Sequence, residues 1–472
     1  MEGDKELRNR AKATDAGIGA GTIVVLILLL VSLIVLVVAL ARNPAPAIRI
    51  KGQIKGLGAE TKVAFEVSDP GHRIRRVDVS VSQEGHSFAV PHEEAQFGEG
   101  PRPWWKFWAP RGENSLSVVA MAGRKTLPEL HEGRATLVIE ATNDSWGRFF
   151  RGGRSQVLLD LPVRFTPPRA DVLSIHHYIN QGGAELVVFR VSLGTTESGV
   201  EVGKLTFPSW PVKESAPEIR FALFALPYDS SPAAPIRIVA GDEVGNRTLA
   251  DFQYRIFPRQ FHKDTIQVTD EFMNRVVPPI MSQTPGLEDQ GSLVKNFLLV
   301  NGHLRAAQAE KLVELSHQTH PQFLWTEPFI ELPSKVEAAF ADYRTYVYNG
   351  QAIDHQTHLG FDLAGFEHMP VRAANDGAVV LADFFGIFGN AVLLDHGCGL
   401  QTLYGHLSSI EVKAGESVRR GQEIGKSGQT GLAGGDHLHF TVLLDGIPIN
   451  PTEWWDPHWI HDRIEAKLAP YK

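Results

Sequence analysis

Residues Gly434 to Thr441 read GGDHLHFT, and His437 and His439 stand two apart in a segment patterned as a β-strand. Side chains at i and i+2 of a strand leave the same face, so both imidazoles can enter one cavity. Upstream, DHQTHLGFD (Asp354 to Asp362) offers His358 and Asp362. Imidazole and carboxylate suit a catalytic zinc, which takes about three protein donors and keeps one position open. On a straight strand His358 and Asp362 would be about 13 Å apart, so the chain must bend between them, and Gly360 permits it. His439 is then the third expected ligand. His437, on the same face, lies near the metal without binding it, where a general base belongs. His406, in LYGHL, is a further group able to approach the water or a developing oxyanion. Any of these alone is ambiguous in a chain with 19 histidines; the ordered set H-x-x-x-D, Y-x-H-L, H-x-H is specific.

HLGFD, LYGHLS, IGKSGQTG and GGDHLHF together resemble the lysostaphin/LytM-type zinc metallo-endopeptidases, over roughly 335–455. The resemblance implies a β-sheet core with an open groove and hydrolysis of peptide cross-links in peptidoglycan. It implies one Zn2+ per chain on His358, Asp362 and His439, with His437 activating the attacking water and His406 stabilising the tetrahedral intermediate. Zinc would polarise the scissile carbonyl. Thr441 departs from the pattern, which often has glutamate there; as it is not an expected ligand, the chemistry is left intact. A D-alanyl–diaminopimelate bond suits a Gram-negative host and a glycine bridge another. Asp354 and His355 are candidates to support the first ligand by hydrogen bonding. His396 reads as structural, and His368 shows no fitting spacing. The lone cysteine, Cys398 in HGCGL, reads as a small turn residue rather than a nucleophile, since no activating motif surrounds it.

Most of the remaining chain reads as apparatus for placing this site. From 335 to 456 short strands and glycine turns imply an all-β peptidase domain, followed by a tail at 457–472. YRTYVY before Asn349-Gly350 signals a hairpin with a type I′ turn. Before it, 268–332 reads as a helical connector. Thr269 or Asp270 would cap a short helix ended by Pro278-Pro279, Ser292 to Val300 would form a second, and Asn301 would cap a third. This region could be a packing collar or a cover over the groove, and the sequence favours the collar. Earlier still, alternating strands such as KVAFEV (62–67) and TLVIEA (136–141) imply two tandem β-sandwiches, 48–165 and 168–257, with Pro167-Pro168 between them. A strand-turn pattern at Val138–Gly147 returns at Ile238–Asn246, and the second copy resembles bacterial immunoglobulin-like modules. Trp104, Trp105 and Trp108 read as a self-packed loop rather than a sugar platform, and His176-His177 as a surface or core pair.

The first residues set the compartment. From Ala16 to Ala41 there is no charge, and Ile23 to Leu40 is apolar except for Ser32, long enough to cross a bilayer as a helix. Basic residues on the two sides nearly balance. Ala39-Leu40-Ala41 could serve a signal peptidase, but the apolar run exceeds a usual signal core, so an uncleaved anchor over 16–42 is expected. The simpler topology puts 1–15 in the cytoplasm and the rest in the periplasm or outside. The overall expectation is a mainly β chain with one transmembrane helix in the inner (cytoplasmic) membrane and peptidoglycan as substrate. Partner proteins on the sandwiches are a further possibility. A net charge of −8 argues against a nucleic-acid binder. Two rival readings remain: a catalytically silent LytM-like factor that activates a cell-wall amidase, and a lipoyl- or phosphotransferase-type carrier. Retention of every ligand opposes the first. Carriers need one modified lysine or one phosphorylated histidine, which opposes the second.

Overall fold

The computed structural model describes residues 20–41, 45–69, 72–97, 114–145 and 147–472. Trp104, Trp105, Trp108 and Trp146 lie outside the described residues, as do 1–15. The chain is mainly β and divides into two compact units, 1–166 with 243–246, and 167–242 with 247–472.

In the first unit, Ala20–Ala41 is a helix of 22 residues, and its large apolar side chains from Ile23 to Val38 are exposed. At 1.5 Å per residue it is about 33 Å long, enough for a hydrocarbon layer. Two four-stranded sheets follow. One is ordered Ala47–Ile50, Thr61–Asp69, Asn114–Ala122, His92–Phe97; the other His86–Ala89, Ile74–Gln83, Gly133–Asn143, Arg154–Val163. Their alternating residues (Val63, Phe65 and Val67 on one, Val77, Val79 and Val81 on the other) fill one core. Each such side chain contributes about 1.5–3 kcal/mol on burial.

The second unit begins with two more four-stranded sheets, centred on Ala184–Val191 with Ile219–Ala225 and on Thr195–Val202 with Ile236–Asp242. Ala184–Val191 is buried along nearly its whole length because both its faces are covered. Its core is continuous with Ile460, Ile464 and Leu468 of the C-terminal helices. Lys467 Nζ donates to Glu185 Oε1 at 2.7 Å in a buried ion pair on this strand. Residues 457–472 are thus helical and packed.

The site rests on an eight-stranded sheet. Its path runs Lys335–Ala338, Phe361–Ala364, Leu438–Leu444, Leu400–Leu407, Asn390–Asp395, Gly377–Phe384, Ser417–Val418, and Ile447–Ile449 pairs with Leu438–Leu444. Beside it, Lys263–Gln267 lies parallel to Asp342–Tyr348, which forms a hairpin with Gln351–His358. Asn349 and Gly350 both take positive φ (51° and 79°), as a type I′ turn requires.

The helical stretch differs from its sequence pattern. Asp270–Gln283, capped by the Thr269 hydroxyl, continues through Pro278 and Pro279 instead of ending there. Interior prolines cost about 3 kcal/mol or more. Burial of Met273, Val276, Val277 and Ile280 against Phe297, Val300 and Tyr346 offsets that cost. Ser292 caps Leu293–Leu298, and the chain stays helical through a π-turn, Leu299–Leu304, into Arg305–Ser316. Asn301 therefore caps nothing; it is buried inside the π-turn.

Candidate metal centre

Register builds the centre. Asp362 on Phe361–Ala364 is the direct cross-strand partner of His439 on Leu438–Leu444, which puts carboxylate and imidazole side by side. His358 ends the neighbouring hairpin strand, and the chain returns through Leu359 and Gly360 to Phe361. Gly360 is required for room rather than for an unusual φ. A Cβ there would lie 2.7 Å from His439 Cε1 and Nε2 and 2.5 Å from Thr441 Oγ1. The outcome is a triangle: His358 Nε2 to Asp362 Oδ1 2.9 Å, His439 Nδ1 to Asp362 Oδ1 3.0 Å, His358 Nε2 to His439 Nδ1 3.1 Å.

The outer partners of these rings assign their protons. His358 Nδ1 faces the Ala339 carbonyl at 3.1 Å, an acceptor only, so Nδ1 carries the hydrogen and Nε2 of the neutral ring is bare. His439 Nε2 faces Thr441 Oγ1 at 2.9 Å. That hydroxyl spends its own hydrogen on the Leu359 carbonyl at 2.9 Å, so His439 Nε2 donates and Nδ1 is bare. Asp362 Oδ2 accepts from Arg344 Nη2 at 3.0 Å, leaving Oδ1 turned inward. Neutral imidazoles thus point two lone pairs and a carboxylate oxygen at one another, an arrangement that a cation between them satisfies. Side lengths near 3 Å are ones a tetrahedral ion with bonds of about 2.0–2.2 Å can bridge. The residues fit zinc. Among the described residues these three form the one group of His, Cys, Asp or Glu suited to a metal.

His437 and His406 flank the triangle. His437 Nδ1 donates to the Gly435 carbonyl at 2.9 Å, and its bare Nε2 stands 3.5 Å from Asp362 Oδ1. His406 Nδ1 donates to the Thr430 carbonyl at 2.8 Å, from a left-handed backbone (φ 63°). The two rings lie 4.8 Å apart, centre to centre. Burial pulls the His437 value down, but the Asp362 carboxylate outweighs it and leaves it raised. Burial drives His439 to about 4 and His406 well below the usual imidazole range. Burial alone would raise Asp362; the positive charge and hydrogen bonds that the surrounding imidazoles supply when protonated, His358 foremost, pull it well below the ordinary carboxylate value. Neutral His406 offers a lone pair rather than a hydrogen, so it can serve an oxyanion only once Nε2 is protonated.

Above these rings opens a cavity of about 270 Å³, walled also by Phe272, Arg305, Ile387, Phe388 and Leu432. Phe272 and Arg305 belong to the helical stretch, which therefore forms part of the groove wall and is not only a collar. Among the described residues neither Asp354 nor His355 is hydrogen-bonded to His358: Asp354 accepts from Asn301 and Gln356, and His355 stacks on Tyr343. His396 is fully buried, bonded to Asp376 and Thr402, with burial taking it to about 4. His368 bonds Ser408 and stays outside the cluster. Cys398 is buried in a turn (φ 55°), and burial pushes its thiol up, away from thiolate chemistry. His177 is a core residue between Ser174 and Gln253.

Sequence reasoning noted Thr441 but gave it no role, and it missed Ala339, Arg344 and Arg305. Thr441 carried a readable signal, a hydroxyl two residues from His439 on the same strand face. A backbone carbonyl and residues from other elements carry none.

Residues 356–451 match the Peptidase family M23, a stretch that spans His358, Asp362, His406, His437 and His439. They form an M23 domain. Over 94 residues the chain is 43% identical to the DD-carboxypeptidase/endopeptidase Mpg of Neisseria meningitidis, covering 20% of this chain and 22% of that protein. Over 93 residues it is 44% identical to the peptidoglycan DD-endopeptidase ShyA of Vibrio cholerae, again covering 20% and 22%. The match thus spans about a fifth of the length of these curated relatives. Among solved structures, the catalytic domain of the antimicrobial peptidase lysostaphin from Staphylococcus simulans is 29% identical, covering 26% of this chain and 92% of that one, with a TM-score of 0.23. The M23 domain shares its buried core with the C-terminal helices and the sandwich beginning at 167.

Proposed function

We propose that this protein is a zinc metallo-endopeptidase that hydrolyses peptide cross-links of peptidoglycan in cell-wall remodelling. The observation that carries this reading is the meeting of three proton-free donors, His358 Nε2, Asp362 Oδ1 and His439 Nδ1, beneath an open cavity. These residues would hold the zinc, which when bound supplies Lewis-acid polarisation of the scissile carbonyl. His437 accepts the proton of the attacking water at its bare Nε2 and returns it to the leaving amine. Asp362 stabilises the imidazolium formed in between. His406 supports the oxyanion in its protonated form, which burial disfavours at rest, so its contribution is confined to the stage when a proton has been released into the cavity. The helix Ala20–Ala41 would anchor the chain in the cytoplasmic membrane, with the M23 domain on the periplasmic or outer side.

The test uses the full chain in detergent, assayed for bound zinc and for cleavage of cross-linked muropeptides. One zinc per chain with cleavage, loss of metal in His439→Ala, and loss of turnover with metal retained in His437→Ala are expected. Stoichiometric zinc without cleavage of any cross-linked muropeptide, together with stimulation of an amidase, would replace this reading with that of a silent activator.

A further inference from the structure

The cavity holds a second guanidinium that the reaction above does not use. Arg344 is committed to Asp362. Arg305 is not committed to an acid: among the described residues no carboxylate pairs with it. Its Nε donates to the Asn301 carbonyl at 3.0 Å and its Nη2 to Asn301 Oδ1 at 2.7 Å. Asn301 is itself held, since its Nδ2 donates to Asp354 Oδ2 at 2.8 Å on the strand that carries His358. The π-turn Leu299–Leu304 places Asn301 and Arg305 for this pairing, and such turns frequently mark functional positions. Two of the guanidinium nitrogens are therefore fixed, and Nη1 has no protein partner among the described residues. A half-buried guanidinium beside Phe272, Ile387, Phe388 and Leu432 loses hydration; Asp354 and Asp362 act on it only through space, and the other acids of the cavity wall, Asp264 and Glu337, form no ion pair with it among the described residues. A planar, pre-oriented donor fork in that position suits a carboxylate.

We propose that Arg305 forms a subsite for a free carboxylate on a residue flanking the scissile bond. The inference rests on the hydrolase reading and sharpens its substrate. In a cross-link closed directly on the amine of a diaminopimelate residue, the carbon bearing the scissile nitrogen also carries a free carboxylate. An oligoglycine bridge has no charged group there. Arg305 therefore selects the direct diamino-acid cross-link.

Two synthetic cross-linked peptides, identical except that the flanking carboxylate is free in one and a carboxamide in the other, test this with the full-length zinc-loaded protein. Wild type should favour the free acid by roughly tenfold to a hundredfold in kcat/KM, the range expected of a charged hydrogen bond. In Arg305→Gln that ratio should fall toward one, mainly through KM, and Arg305→Lys, which keeps the charge but not the fork, should fall between. Zinc content and melting temperature establish that each variant is folded and loaded; if Arg305→Gln is not, Arg305→Lys decides. Calorimetric binding of the two corresponding product peptides should show the same preference without turnover, so it decides the subsite even if wild type cleaves nothing. Equal preference in wild type and variant, or no preference in wild type, overturns the assignment.

Discussion

Thr441→Val tests whether one hydroxyl sets the proton on a ligand. Thr441 Oγ1 accepts from His439 Nε2 and donates to the Leu359 carbonyl, both at 2.9 Å. Valine keeps the shape and removes both bonds. His439 is buried, so an Nε2 hydrogen without an acceptor costs about 1–3 kcal/mol. The neutral ring escapes that cost by moving its hydrogen to Nδ1, where Asp362 Oδ1 waits at 3.0 Å. Nδ1 is the atom the metal needs, and zinc must then reverse the shift. Loss of such an outer partner typically weakens metal affinity about 10- to 100-fold, or about 1.4–2.7 kcal/mol. Competition of the full-length protein against a chromophoric chelator at neutral pH measures this directly. Thr441→Ser, which keeps the hydroxyl, should stay close to wild type. Equal affinity in wild type and Thr441→Val would refute the tautomer argument, and an equal fall in the serine variant would assign the effect to packing.

Gly360→Ala drives a methyl into the His439 ring; it should cost about 1–3 kcal/mol of stability and lower zinc occupancy at limiting metal, read by thermal melts and metal analysis. Metal removal should lower the melting temperature of wild type, because zinc at about a hundred times its Kd adds about 2.7 kcal/mol. His358→Ala should melt at the same temperature with and without chelator. Glu453 accepts from Asn180 Nδ2 and the Ala184 backbone, and burial raises its carboxyl from 4.5 to about 7. The fold favours its protonated form, so its contribution is complete below pH 4.5 and is lost as pH rises through 7, a change of about 3 kcal/mol. Denaturant titrations across that window should show a shallower fall in Glu453→Gln; equal slopes would exclude Glu453 as the source.

The strand period made His437 and His439 readable as neighbours on one face, and Asn349-Gly350 made the hairpin that carries His358 readable, because both are local properties of the backbone. The bend between His358 and Asp362 was also legible, although Gly360 serves it by leaving room for His439. The prolines at 278 and 279 misled, since a helix boundary judged from propensity omits the tertiary burial of Met273, Val277 and Ile280 that outweighs them. Asn301 misled for a related reason. Its side chain is drawn inward by Asp354, 53 residues away, and a partner at that distance leaves no periodic signal.

By itself the sequence made legible the β character of most of the chain, the apolar N-terminal helix and the candidate set His358, Asp362, His406, His437 and His439. Each of these follows from residue type and short-range spacing. Only the tertiary structure decided which ring nitrogen of each histidine is bare, because that depends on Ala339, Thr441, Gly435 and Thr430. Only it brought Arg344 and Arg305 into the cavity, and only it wrapped residues 457–472 onto Glu185. Proton placement and charge pairing depend on distances of about 3 Å, and the chain acquires those only when remote strands and helices pack.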